Sequence, residues 1–150
     1  MWTNEVSNSP YSGPTIGIAP NGETYVCGAR LARSTTILGN QTLPSDVDSS
    51  VLNKRNLFIG KIDSAGQVTE FKDLIFNALY DLNLEGLHFS DDAYFLTGTI
   101  VGSASFDSIN IINGDLNLNN GNWVFVAKYD METDSLIWVR HSYNSGGLIL

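Results

Sequence analysis

The chain contains 150 residues, of which 43% are hydrophobic and 16% are charged, and this length suits one compact domain with a sizeable core. The formal net charge of −8 and the isoelectric point near 4.4 argue against a nucleic-acid or anionic-membrane partner, because such partners require clustered Lys and Arg. No run reaches the ~18 apolar residues of a membrane-spanning helix, so membrane insertion is not expected. Cys27 is the single cysteine, which excludes a disulfide framework and predicts a small buried hydrophobic residue.

The first predicted unit spans residues 12–73 and contains four short strands. They are centred on residues 16–19, 24–28, 57–62 and 68–71, with turn-forming residues between them. Asn21 and Gly22 supply the positive φ angles of a tight hairpin between the first two strands. A second tight turn is predicted at 63–66, before the fourth strand.

The second predicted unit spans residues 84–141 and repeats this pattern. Its strands are centred on residues 86–89, 93–98, 124–129 and 136–139. The spacings between landmarks are 69 residues from Tyr25 to Tyr94, 67 from Lys61 to Lys128, and 67 from Phe71 to Trp138. We interpret these spacings as an internal repeat. No run of ten residues has a helical period, and the best stretch, 71–84, is interrupted by Asn and Asp.

Several predicted strands are apolar on both faces. Tyr94 and Leu96 point to one side of their strand and the apolar Phe95 points to the other. Sheets of this kind need cover on both sides. We therefore predict an all-β fold of antiparallel four-stranded blades, a partial β-propeller of about two repeats. A β-sandwich is the alternative architecture.

Two segments carry a family resemblance. Tyr-Val-Cys-Gly at 25–28 leads to Phe-Ile-Gly-Lys-Ile-Asp at 58–63, and Phe-Val-Ala-Lys-Tyr-Asp at 125–130 leads to Leu-Ile-Trp at 136–138. This pattern resembles the β-propeller repeat of bacterial secreted and cell-surface proteins. The resemblance implies an extracellular or cell-surface location. The chain departs from the pattern in an insertion near residues 43–53 and in a second turn, 130–134, that lacks glycine.

Both ends of the chain look like parts of further blades. Trp2 stands 15 residues before Gly17, as Phe71 stands before Gly86, so residues 1–5 are predicted to end a preceding blade. Residues 146–150 are predicted to begin another. We therefore expect an internal fragment whose uncovered edges promote self-association.

Two Lys-x-Asp pairs recur at one position of the repeat: Lys61 with Asp63, and Lys128 with Asp130. Although each pair could act as an acid–base couple, recurrence favours a structural role. Asp is expected to accept turn amide hydrogens, and Lys is expected to cover the strand edge.

Metal and ligand candidates lie in or beside predicted turns. Asp91 and Asp92 fill a hairpin turn, and His88 belongs to the strand before it. No further ligand converges on them, so no transition-metal site is predicted. His141 is expected to be solvated. The most polar loop offers ligand-binding candidates with amide or carboxylate oxygens and an aromatic ring, and Ca²⁺ is the cation that such oxygens suit. These candidates are Asp115, Asn117, Asn119, Asn120 and Trp123.

Two function classes follow. The first is a non-catalytic binding or scaffold module for protein or glycan partners. The alternative is a piece of a propeller enzyme of the glycoside hydrolase or lyase type, whose site is completed by missing blades. Such an enzyme needs two carboxylates ~5–10 Å apart. Asp91, Asp92 and Asp107 are the clustered acids here, and each occupies a predicted turn or edge.

Overall fold

A computed structural model describes residues 14–46, 54–74, 76–78, 82–101, 104–106, 109–111 and 122–143. Thirteen strands and no helix are found among these residues, which confirms the all-β class. In chain order the strands are β1 (Thr15–Ile18), β2 (Thr24–Leu31), β3 (Thr36–Leu38), β4 (Gln41–Leu43), β5 (Arg55–Ile62), β6 (Val68–Asp73), β7 (Phe76–Ala78), β8 (Leu82–Phe89), β9 (Ala93–Val101), β10 (Ala104–Phe106), β11 (Ile109–Ile111), β12 (Asn122–Asp130) and β13 (Leu136–Tyr143).

The first sheet contains a four-stranded antiparallel part in the order β1-β2-β5-β6, and one pair of residues between β5 and β7 extends the sheet to β10 and β11. The turn between β1 and β2 forms as predicted: the Asn21 side chain accepts a hydrogen bond from the amide of Glu23, and Gly22 has a φ of 86°. Gly66 has a φ of 78° in the turn between β5 and β6. Both glycines occupy a backbone conformation that other residues adopt with strain.

The second sheet has the antiparallel order β8-β9-β12-β13, the same arrangement as the first. Each sheet also has a register shift between its third and fourth strands, after Lys61 in one and after Lys128 in the other. Four-stranded antiparallel sheets are therefore present, and neither sheet closes on itself.

Two short hairpins, which the sequence did not predict, leave the sheets between their second and third strands. The β3–β4 hairpin places Leu38 and Leu43 against Phe58 and Phe71 of the first sheet. The β10–β11 hairpin contributes Phe106 to the main core, and β10 pairs with β7, which meets the end of β5. The hairpins extend the cover over one face of each sheet.

The main core lies between the two sheets. Four names describe the sheet faces from here on. The inner face of the first sheet carries Tyr25, Cys27, Leu57, Ile59 and Lys61, and its outer face carries Ile16, Ile18, Val26, Phe58 and Phe71. The core face of the second sheet carries Leu87, Phe89, Tyr94, Leu96, Phe125, Ala127 and Tyr129, and its open face carries Phe95, Val124, Val126, Lys128, Trp138 and Arg140.

The sheets stack by the inner face of one on the core face of the next. Their first strands meet at Gly17, where an added Cβ atom would lie 2.7 Å from a ring atom of Phe89 and 3.3 Å from Leu87. A residue with a side chain at this position would force Phe89 or the sheets to shift. Because different faces of the two sheets meet, the contact is head-to-tail.

The open face of the second sheet is partly exposed among the described residues. Val124 is 49% exposed there, whereas Phe125, next to it on the core face, is fully buried. The alternation of apolar side chains was predicted correctly for β9 and β12. Whether a second layer covers a sheet face depends on residues distant in the sequence, which alternation does not indicate.

Candidate functional site

Lys61 lies in the interior between the sheets and does not cover a strand edge as predicted. It is 8% exposed. The alternation of β5 places it on the inner face directly opposite Tyr25, with its ammonium 5.4 Å from the centre of the Tyr25 ring. A lysine in this position requires partners of opposite charge, because an isolated buried ammonium is strongly destabilising.

Those partners form a four-membered ring of alternating charge, which we call the interface quartet: Lys61, Glu70, Lys72 and Asp134. Asp134 accepts a hydrogen bond of 2.8 Å from Lys61 and forms an ion pair of 2.8 Å with Lys72. Glu70 lies 3.0 Å from Lys61 and 2.6 Å from Lys72. Three members belong to the first sheet and Asp134 belongs to the turn after β12, so the ring joins the two sheets and its formal charges cancel.

Asp134 reaches the quartet through an uncommon backbone conformation. Its φ of 53° makes it the one described non-glycine residue with a positive φ, and Asp is among the residues that tolerate this region. Asp134 and Gly66 each precede the first residue of their sheet's fourth strand by two positions. The turn that lacks glycine therefore keeps the left-handed conformation and gains a buried carboxylate.

The charged forms of Lys61 and Glu70 are stabilised by their partners in the quartet. Burial alone would lower the pKa of Lys61, but hydrogen bonds to Asp134 and Glu70 outweigh it and raise the pKa. Burial alone would raise the pKa of Glu70, yet Lys72 and Lys61 together lower it. Lys61 therefore stays protonated and Glu70 stays ionised near pH 7, and the interface quartet holds the two sheets together through charged groups.

Tyr94 lies beside the interface quartet on the core face. Its pKa is raised, first by burial and then by the negative charge of Asp134. The Tyr94 hydroxyl and Asp134 Oδ1 are both buried, each beside the other's residue. The ring of Tyr94 stacks on that of Tyr129, with centroids 5.2 Å apart.

The two aspartates of the Lys-x-Asp pairs do shape their turns, as predicted. Asp63 accepts hydrogen bonds from the amides of Ala65 and Gln67. Asp130 accepts hydrogen bonds from the amide and hydroxyl of Thr133 and from the amide of Glu132, and these contacts lower its pKa. Among the described residues, neither aspartate lies within ion-pair distance of the lysine two positions before it.

A second ion pair joins the end of β2, just before the β3–β4 hairpin, to β6. Arg30 Nε donates to Asp73 Oδ1 at 2.7 Å, its Nη2 pairs with Oδ2, and its Nη1 donates to the carbonyl oxygen of Ser34 at 2.8 Å. Because Arg30 is buried, this fork of donors anchors the chain locally.

The open face carries two cations laid across two aromatic rings. Lys128 Nζ is 5.7 Å from the centre of the Phe95 ring, and Arg140 Cζ is 5.6 Å from that of Trp138. The two rings have centroids 6.1 Å apart. Within the described parts of the chain, no carboxylate lies within ion-pair distance of Lys128 or Arg140. The open face is thus a cationic, aromatic surface on an acidic chain.

The open face repeats the layout of the inner face in its register. Lys61 lies opposite Tyr25 and Glu70, and Lys128 lies opposite Phe95 and Trp138. Phe95, not Tyr94, therefore corresponds to Tyr25. Tyr94 lies opposite Tyr129 on the core face.

The polar-loop candidates Asp115, Asn117, Asn119 and Asn120 lie outside the described residues, and so does Asp107. Trp123 was assigned to that loop but belongs to β12, where it is half-buried and its ring meets His141 edge-on at 5.2 Å. A ligand or Ca²⁺ site at the loop stays a prediction.

The remaining candidates are dispersed. His88, Asp91 and Asp92 are exposed, and the described residues contain no group of three His, Cys, Asp or Glu side chains suited to a metal ion. His141 is exposed, as expected. Cys27 is fully buried, as predicted, and burial raises the pKa of its thiol.

Comparison with known proteins gives no identification: no family model matches the chain, and no curated protein or solved structure is significantly similar to it. Across the described residues, no helix is long and apolar enough to cross a membrane.

Proposed function

We propose that the chain is a non-catalytic binding and scaffold module of the β-propeller type, part of a secreted or cell-surface bacterial protein. The observation that supports it most is the open face. A sheet face with cation-covered aromatic rings and exposed Val124 has the composition of a contact surface, because aromatic residues and Arg are enriched where proteins bind one another.

The propeller arrangement is supported by the way the two sheets stack. A sandwich buries one face of each sheet and wets the other. Here the outer face of the first sheet has its own apolar cluster, and the open face of the second has the register of a buried face. Continued head-to-tail stacking would use both surfaces.

A protein is the partner that the open face favours over a glycan. The open face combines aromatic rings with two cations, Lys128 and Arg140. An acidic, partly apolar protein surface complements both the rings and the charges. Neutral sugars would use the rings but leave Lys128 and Arg140 without a counter-charge.

The test is an NMR titration of the isotope-labelled chain with a soluble acidic peptide that contains aromatic residues, and separately with a neutral oligosaccharide. We expect the peptide to shift the Trp138 indole signal and the backbone signals of Lys128 and Phe95, and Lys128→Glu to reduce these shifts. Shifts produced by the oligosaccharide alone would replace the protein partner with a glycan. If neither ligand moves these signals, the open face is not a binding surface.

A further inference from the structure

We infer that the open face binds the outer face of a second copy of this chain, so that chains associate head-to-tail. This inference rests on the proposed binding role of the open face and names its partner. The contact between the two sheets of one chain is the template, since it already joins an inner face to the core face of the following sheet.

The open face repeats the lysine and aromatic positions of the inner face of that template, but His88 stands where the template has Gly17, so the first strands of a docked pair lie farther apart. The lysine-over-ring contact measures 5.4 Å for Lys61 on Tyr25 and 5.7 Å for Lys128 on Phe95. Both lysines precede the register shift between their sheet's third and fourth strands. Arg140 stands two positions after Trp138 on β13, as Lys72 stands two positions after Glu70 on β6.

The outer face of the first sheet repeats the core face. Leu87 and Phe89 of β8 pack on Gly17 inside the chain. Ile16 and Ile18 hold the matching positions on β1, where they are 64% and 70% exposed. Exposed paired isoleucines on a strand are apolar surface that a docked sheet would bury.

Charge limits the strength of this association. The template supplies Asp134 to Lys61 and Lys72, whereas the corresponding turn of the first sheet has Gly66. A docked second copy therefore brings apolar contact to Lys128 and Arg140 without the buried carboxylate. We expect weak, concentration-dependent self-association, because the net charge of −8 on each copy opposes it.

Gly66→Asp tests this inference by restoring the acid. Gly66 has a positive φ that Asp134 also adopts, and no atom lies within 4 Å of an added Cβ atom. By sedimentation velocity we expect association to tighten about tenfold, as one charge-assisted contact allows. Gly22→Asp is the control, because it adds the same charge at another open, positive-φ turn position of the same sheet.

Two blocked variants test the polarity of the contact. Lys128→Glu disables the open face, and Ile18→Lys disables the outer face. Each alone is expected to be monomeric, and their mixture is expected to stop at a one-to-one dimer, since one intact open face and one intact outer face remain. Arg33→Glu, at an exposed position outside the residues of both faces, reverses a charge as Lys128→Glu does and should associate like the unmodified chain.

The inference is overturned if Gly66→Asp leaves association unchanged or if the mixture of blocked variants stays monomeric. It is also overturned if the unmodified chain forms only a symmetric dimer that both blocked variants retain. In these cases, peptide-induced shifts on the open face would still uphold the proposed function, so the two failures can be told apart. Urea unfolding of each variant confirms that the fold is intact.

Discussion

The inner face of the first sheet and the open face of the second place a lysine over an aromatic ring at the same point of the ladder. Lys61 is buried, and Lys128 is partly exposed. Two carboxylates separate them. Glu70 lies beside Lys61 in the same sheet, where Lys128 has Trp138, and Asp134 reaches Lys61 from the neighbouring sheet. Burial of a charged residue therefore depends on counter-charges from its own sheet and from the adjoining one.

The largest expected effect comes from removing the two lysines in turn. Lys61→Met should lower the free energy of unfolding by ~3 kcal/mol, because Asp134 stays buried and keeps only Lys72 as a counter-charge. Lys128→Met should change it by less than about 0.5 kcal/mol, as is usual at solvent-accessible positions. Urea unfolding followed by tryptophan fluorescence measures both. If both substitutions lower the free energy of unfolding equally, the quartet does not make Lys61 more important for stability than Lys128.

The close approach of the sheets gives the next effect. Gly17→Val should destabilise the chain by ~2 kcal/mol, because its side chain would be forced against Phe89 and Leu87. Ile16→Val is the matched control, since Ile16 is the preceding residue and points to the exposed outer face. Thermal unfolding of the two variants checks the difference. A tolerated Gly17→Val would mean that the stack has more room than the Gly17–Phe89 approach indicates.

The smallest effect concerns acid stability. The pKa of Glu70 is lowered in the folded chain, so its contribution to stability is present above its ordinary pKa of 4.5 and disappears as the pH falls through the lower folded value. We expect Glu70→Gln to be less stable than the unmodified chain at pH 7 and to lose less stability between pH 5 and about pH 3. Glu132→Gln, in the exposed part of the β12–β13 turn, is the control. If the free energy of unfolding falls with pH in the same way for Glu70→Gln and for the unmodified chain, Glu70 does not contribute to the interface quartet.

Local chemistry accounts for what the sequence predicted. Alternation placed Tyr94 and Leu96 opposite Phe95 because successive side chains of any strand point to opposite faces. Asp63 and Asp130 cap their turns because a short carboxylate reaches amides two to four residues ahead. These features depend on neighbours in the sequence.

The site depended on neighbours in space. Lys61 and Asp134 are 73 residues apart, and nothing near either residue indicates the other. The match of Tyr25 with Tyr94 was one residue out of register, because the connection between the first two strands differs in length by one residue between the sheets. A shift of one residue exchanges the faces of a strand, so Tyr94 entered the core and Phe95 took the place beside Lys128. The two extra hairpins escaped prediction because strands of three residues carry little periodic signal.

At the left-handed turn position shared by Gly66 and Asp134, the backbone requirement of the turn is independent of the charge that the side chain brings to the contact between sheets. Both residues satisfy the same backbone requirement, so an exchange between them leaves the turn intact while it adds or removes a charge at the next sheet's lysine. In a chain with several such sheets, the residue at this turn position would set the strength of each contact between neighbouring sheets. The strands themselves would not have to change.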